Sequence, residues 1–229
     1  MFTAPMYKIS LIGQKGGTAK TTSAVGLAVA AARAGHDVAV IDIDPQASAA
    51  KWRDRRKEEN PVVVSAQASR LQPTLEAARA EGVEFAFIDS AGRNDSNALD
   101  AARAADLVLV PSRPNILELE TLPQVKDLLR LAGNPPAFVL LIGIHPMAGR
   151  ATLAEICGSI HDLFGFMVCP VHLCQRNAYV DAMTSGKTPQ ELDPEGKAGD
   201  ELTRLFQFVF EFVNKRGTDD EIFSHSATA

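Results

Sequence analysis

Apolar residues along the chain fall into short, near-continuous runs, separated by longer stretches rich in Ala and Leu. The short runs predict strands at Tyr7–Ile12, Val38–Asp42, Val62–Ser65, Phe85–Asp89, Leu107–Pro111, Ala137–Ile144 and Phe166–Val171. They lack a polar alternation, as strands buried on both faces should. The longer stretches predict helices at Lys20–Ala34, Ala47–Glu59, Leu71–Glu81, Ser96–Ala105, Leu117–Leu131, Ala151–Phe164, Asn177–Ser185 and Lys197–Lys215. Strand–helix alternation of this kind predicts an α/β fold. It is a doubly wound, mostly parallel sheet of seven to eight strands, with helices on both faces and right-handed crossovers.

No internal repeat, low-complexity segment or linker interrupts the pattern, so residues 1–217 read as one domain. Residues 218–229, TDDEIFSHSATA, read as a polar, disordered tail. Only Met1–Met6 precede the first strand, and no appended N-terminal domain is expected there. The first apolar run is short and becomes a strand, so no signal peptide is expected either. The longest run, Pro135–Ile144, is too short to span a bilayer.

The chain is 46% hydrophobic with charges of both signs, which excludes a disordered tail or a fibre. Its net charge of −5 gives no bulk attraction for nucleic acid, so any such contact needs a local basic patch. Cys157, Cys169 and Cys174 are odd in number and form no CxxC pair. Neither a disulfide framework nor a zinc ribbon follows, and a reducing cytoplasm fits best.

The chemistry concentrates at ISLIGQKGGTAKTT, Ile9–Thr22, between the first strand and the first helix. In a doubly wound sheet this carboxyl edge is where ligands bind. Gly16 and Gly17 let the backbone wrap phosphate oxygens, and the helix starting near Lys20 turns its free N–H groups and positive dipole end the same way. Lys20 would reach β- and γ-phosphates, Thr21 would ligate Mg²⁺ and Thr22 would bond the α-phosphate.

KGGTAKTT, Lys15–Thr22, resembles the deviant phosphate-binding motif KGGxGK[ST] of the ParA/MinD family of P-loop ATPases. VAVIDIDPQAS (Val38–Ser48) resembles that family's DxDPQ segment, and EFAFIDSAGR (Glu84–Arg93) resembles a strand ending in a magnesium-associated aspartate. The resemblance runs from Lys8 to about Lys215, and small stand-alone plasmid-partition ATPases look most similar. It implies ATP and Mg²⁺ as cofactors. Lys15, Lys20 and Asp44 are then the catalytic residues. Lys15 would cross a homodimer interface to the neighbouring subunit's phosphates, and Asp44 would orient the attacking water. Thr21, Asp42 and Asp89 would surround the metal, and Lys15, Gly16, Gly17, Thr18, Ala19, Lys20, Thr21 and Thr22 would hold the nucleotide. Ser90–Gly92 would form a switch that senses the γ-phosphate.

The implied function is ATP-driven partition of a plasmid or other DNA by a cytoplasmic, nucleoid-associated dimer. That dimer binds DNA without sequence preference and hydrolyses ATP, weakly on its own, when a ParB-like partner stimulates it. A positioning factor for a protein cargo and a hydrolysis-impaired ATP-binding scaffold are the alternatives.

Three features depart from or extend the pattern. Ala19 stands where the family places glycine; at positive φ an alanine costs roughly 1–2 kcal/mol, whereas at helical φ it is mild. The turn Cys174-Gln175-Arg176 replaces the family's Pro-Arg-Asn-like turn. Gln175 and Arg176 are candidates for the base, with Pro194 in a second wall, although the same turn also reads as a helix-capping loop. KWRDRRKEEN, Lys51–Asn60, carries five basic and three acidic residues. It is a candidate DNA patch together with Arg150 and Lys215–Arg216, but on a helix it reads first as a self-paired face. Trp52 within it is expected in the core or an interface. The Phe-rich last helix reads as core packing, so membrane binding is not expected, and paired cysteines for an iron–sulfur carrier are absent.

Overall fold

The computed structural model describes residues 5–92 and 95–226. In chain order the first half comprises β1 (Tyr7–Leu11), α1 (Lys20–Arg33), β2 (Val38–Asp42), α2 (Ser48–Asp54), β3 (Val62–Ser65), α3 (Leu71–Ala80), β4 (Phe85–Asp89) and α4 (Asp95–Ala104). The second half comprises β5 (Leu107–Ser112), α5 (Ile116–Leu119), α6 (Leu122–Leu131), β6 (Ala137–Ile144), α7 (Arg150–Phe164), β7 (Met167–Val168), β8 (Leu173–Cys174), α8 (Asn177–Thr184), α9 (Pro189–Leu192) and α10 (Lys197–Ser226). The sheet is eight-stranded and runs β3-β2-β4-β1-β5-β6-β7, with β8 pairing β6. The pairings are parallel.

Successive side chains of the central strands enter opposite cores, because the pleat alternates them. Phe85 and Phe87 join Val38, Val40, Leu107 and Leu109 against α1, α2 and α10. Ala86 and Ile88 join Ile41, Val108 and Val110 against α3, α4 and α6. Helices therefore cover both faces, as the continuous apolar strands require.

The differences from the sequence reading have local causes. The expected strand Phe166–Val171 shrinks to β7, ahead of Pro170, which offers no ladder donor, and β8 beyond it was not expected. The expected helix Leu117–Leu131 is broken into α5 and α6, where Pro123 sits in the first turn of α6. Short α9 was not expected, and α10 continues past Lys215 to Ser226, within the stretch read as a tail. Its phenylalanines do pack inward: Phe206 and Phe210 lie on Phe85, while Phe208 and Phe212 lie edge-on to Phe138. No helix among the described residues is long and apolar enough to cross a membrane.

The expected helix Ala47–Glu59 stops at Asp54, and the chain beyond it turns into the protein. Arg56 is buried and makes a two-pronged pair with Glu191, at 2.6 and 2.9 Å, while also donating to the carbonyls of Asn60 and Gly186. Its guanidinium stacks 4.9 Å from the ring centre of Trp52, which is fully buried and donates from Nε1 to the Lys187 carbonyl. Arg56 is thus withdrawn from the candidate basic patch, and it ties α2 to the α8–α9 connection. Replacing it by alanine strands the Glu191 carboxylate. Arg56→Ala should lower unfolding free energy by about 3 kcal/mol in a denaturant titration; an unchanged midpoint would show that the pair carries no stability.

Candidate functional site

The parallel pairing brings the carboxyl ends of β1, β2, β4, β5, β6 and β8 to one edge, where the loops form a cavity of about 970 Å³. Residues 16–22 of the phosphate-type loop line it, as do Asp44, Gly92, Arg113, Gly143, Gln175 and Arg176. Lys15, Asp42, Asp89 and Pro194 are not among its lining residues.

The loop ends in a left-handed turn. Ala19 has φ 54° and ψ 25°, and its carbonyl accepts the first α1 bond, from Ser23 N–H, at 2.8 Å. Gly17, with φ 76°, supplies a second left-handed bend. The two bends turn the loop back on itself and aim the start of α1 into the cavity. Ala19 therefore falls in the costly case foreseen from the sequence: its Cβ is crowded at positive φ.

Lys20 is 7% exposed, and Nζ donates to the Lys15 carbonyl at 3.0 Å. Burial pushes the ammonium below the ordinary lysine value, against the opposing pull of Asp89, Asp44 and Glu118. Gly92 lies directly over this contact. A Cβ there would come within 2.6 Å of the Lys15 carbonyl oxygen and 2.9 Å of Lys20 Nζ, so only glycine lets the Ser90–Gly92 turn approach the loop. Arg93, which ends the stretch Glu84–Arg93, lies outside the described residues.

Asp89 ends β4 with no solvent exposure. Thr21 Oγ1 donates to its Oδ2 at 2.6 Å, and Oδ1 is buried without a partner. Burial raises its carboxyl to about 7, with the Thr21 hydrogen bond pulling the other way. A hydroxyl and an orphaned carboxylate oxygen beside a phosphate loop are hard oxygen donors, and they fit Mg²⁺. Asp42 pairs in register with Asp89 across β2 and β4. Its carboxylate accepts from the backbone amides of Asp44, Ala49 and Ala50, which braces the β2–α2 turn. Asp44, on that turn, caps Gln46 N–H at 2.9 Å and faces the cavity.

Lys15 sits on the other side of the loop. Its Nζ donates to the Leu117 carbonyl of α5 in the same chain, at 2.5 Å. Of the two residues expected to meet a base, Gln175 is exposed, and Arg176 is held by Glu201 at 2.7 Å. Pro194 is exposed in the turn before α10, away from the cavity it was expected to wall. Sequence reasoning missed Arg113, which reaches from the end of β5 to the Gly17 carbonyl at 3.1 Å, and the Glu201–Tyr179 pair behind Arg176. A basic residue just past a central strand's carboxyl end was a usable signal for Arg113; nothing local marked Glu201.

Two outcomes follow. Ala19→Gly should raise unfolding free energy by about 1 kcal/mol, because glycine adopts this φ without a Cβ clash; no gain in chemical denaturation would show that the turn relaxes in solution. For Asp89, the folded carboxyl lies near 7 and the ordinary value is 3.8, so the folded state binds the extra proton between them. Stability without added metal should then fall as pH rises through that window. Asp89→Asn should abolish the dependence, and its advantage should approach the order of 4 kcal/mol above pH 7 and vanish near pH 4. Parallel pH–stability curves for the two proteins would contradict this.

Comparison with known proteins agrees with this geometry. Residues 9–218 match the CobQ/CobB/MinD/ParA nucleotide binding domain. The chain is 27% identical over 248 residues to the chromosome-partitioning ATPase Soj of Thermus thermophilus, covering 94% of this chain and 100% of that protein. It is 32% identical over 158 residues to the maintenance of carboxysome distribution protein A of Gloeobacter kilaueensis, covering 64% and 68%. The septum site-determining protein MinD of Pyrococcus horikoshii, solved with Mg-ADP, shares the fold with a TM-score of 0.73 at 16% identity over 89% of this chain and 96% of that one. A parallel sheet carrying a phosphate loop at its carboxyl edge, matched over nearly its full length, places this chain in the CobQ/CobB/MinD/ParA family of P-loop nucleotide-binding proteins.

Proposed function

We propose that the chain is a ParA-type ATPase that partitions a plasmid or other DNA through an ATP-dependent homodimer. One observation carries the reading most: at the start of α1, Thr21 bonds one oxygen of Asp89 while the other is buried without a partner, and Lys20 beside it is joined by a second lysine, Lys15, on the same loop. The name of the Soj relative supports partition as the process. In this reading the loop amides of residues 16–19 and the α1 N-terminus hold the phosphates. Lys20 neutralises the β- and γ-phosphates, and Thr22 bonds the α-phosphate. Thr21 and Asp89 would hold Mg²⁺, with Asp42 shaping the surrounding turn. Bound there, Mg²⁺ would supply a divalent positive charge that offsets the charge of the phosphates. Asp44 orients a water in line with the γ-phosphorus and accepts its proton-side hydrogen bond. Lys15 leaves the Leu117 carbonyl and adds a cation to the neighbouring subunit's site, where charge builds on the transferred group.

The dimer binds nucleoid DNA through Lys/Arg–phosphate contacts in the cytoplasm, and a ParB-like partner triggers hydrolysis and release. With Arg56 buried, the surface of the first basic segment reduces to Lys51, Arg53, Arg55 and Lys57. Arg150 is exposed at the start of α7, and Arg216 lies over Phe212 at the far end of the chain. Two observations keep second readings alive. The carboxysome-distribution relative favours a protein cargo over DNA. The left-handed Ala19 favours a scaffold that binds ATP but turns it over poorly.

Sedimentation with Mg·ATP, Mg·ADP and no nucleotide tests the central claim. The wild-type chain should dimerise with ATP alone, Lys15→Ala should stay monomeric while still binding ATP, and Lys20→Ala should lose binding. A monomeric wild type at saturating Mg·ATP would overturn the reading. ATP turnover with and without DNA separates the enzyme from the scaffold.

A further inference from the structure

The base side of the cavity depends on a carboxylate that belongs to no motif. Glu201, on α10, is 7% exposed. Its Oε2 accepts from Cys174 N–H at 3.0 Å and from the Tyr179 hydroxyl at 2.9 Å. Its Oε1 accepts from Nε and Nη2 of Arg176 at 2.9 and 2.7 Å. Burial disfavours this charge, yet Arg176 and the other donors outweigh it and hold the carboxyl below its ordinary value. All three donor residues line the cavity.

The local sheet is too slight to do this work. β8 is two residues long and pairs only with β6, across a register shift between Ile142 and Ile144. The turn that follows is held to the sheet through Gln175 N–H, which donates to the Ile144 carbonyl at 2.8 Å, and Glu201 ties the residues on either side of it, Cys174 and Arg176, to the long helix behind. The tie also sets a plane. Nε and Nη2 share one edge of the guanidinium, and hydrogen bonds from that edge lie in the plane of the group. That edge is taken up by Glu201, which leaves the flat faces of the guanidinium without a bond to it, and apolar Ile142 and Leu173 line the same cavity as Arg176. A flat cation with free faces beside aliphatic walls suits a planar aromatic ring.

We infer that Glu201 is a positioning residue for the base of the bound nucleotide, acting through Arg176 and Tyr179 and not through the phosphates. The inference rests on the nucleotide-site reading above and assigns its base-side order to α10. It separates two parts of ligand affinity: the phosphate loop does not touch Glu201, and the base wall does.

Direct calorimetric titration of the full chain with Mg·ATP and with Mg·tripolyphosphate, which has no base, reads the two parts separately. Glu201→Gln keeps the shape and one acceptor oxygen but loses the charge. Arg176→Lys keeps the charge but loses the planar fork. Each should weaken ATP binding about tenfold and leave tripolyphosphate within about twofold of wild type. Unchanged ATP affinity in both variants would overturn the inference, as would an equal loss for both ligands, since that would make Glu201 a general scaffold residue. Failure of the wild-type chain to bind either ligand would overturn the nucleotide reading itself, and this inference with it.

Discussion

Holding the Asp89 carboxylate out of water is the constraint around which the carboxyl edge of the sheet is organised. A fully buried carboxylate is stable only if protonated, paired or bound to a cation. Here one oxygen is met by Thr21 and the other is left open, with Lys20 as the nearest opposing charge. Each of those partners is delivered by the turn at Ala19, which brings the first residues of α1 under the loop. Gly92 then closes over them at a distance no side chain would permit. The site is therefore strained and electrostatically incomplete by itself, which suits a place where a phosphate and a divalent cation are to be exchanged.

The strain at Ala19 and the orphaned oxygen of Asp89 differ in kind. The penalty on the oxygen is electrostatic, and a cation with hard oxygen preference removes it. The left-handed alanine gains nothing from a ligand, because its Cβ clash persists whatever fills the cavity.

Charge that looks alike in sequence serves different ends in the folded chain. Of the basic residues in Lys51–Lys57, Arg56 is an internal clamp on Glu191, while Lys51 and Arg55 stand on the rim of the cavity. The acidic residues divide the same way. Asp42 spends its oxygens on three backbone amides, Glu201 ties Cys174, Arg176 and Tyr179 together, and Asp44 remains turned to the cavity.

The sequence by itself determined the layered fold and the position of the phosphate loop. Both follow from short-range chemistry: two-sided apolar strands, helix periodicity, and a Gly/Lys/Thr stretch at a strand end. It also foretold that Ala19 would matter, but not its φ, because whether that residue bends left-handed depends on how the loop must return to α1. Only the tertiary structure decided that the seventh strand stops short of Pro170, that Arg56 turns inward, that Arg113 overhangs Gly17, and that Pro194 stands apart from the cavity. Glu201 shows the reason most plainly. It lies 25 residues from Arg176 in the chain, in an ordinary amphipathic helix, and its role exists only because packing brings α10 behind β8. Contacts between elements far apart in sequence are set by how whole layers stack, and no local pattern records them.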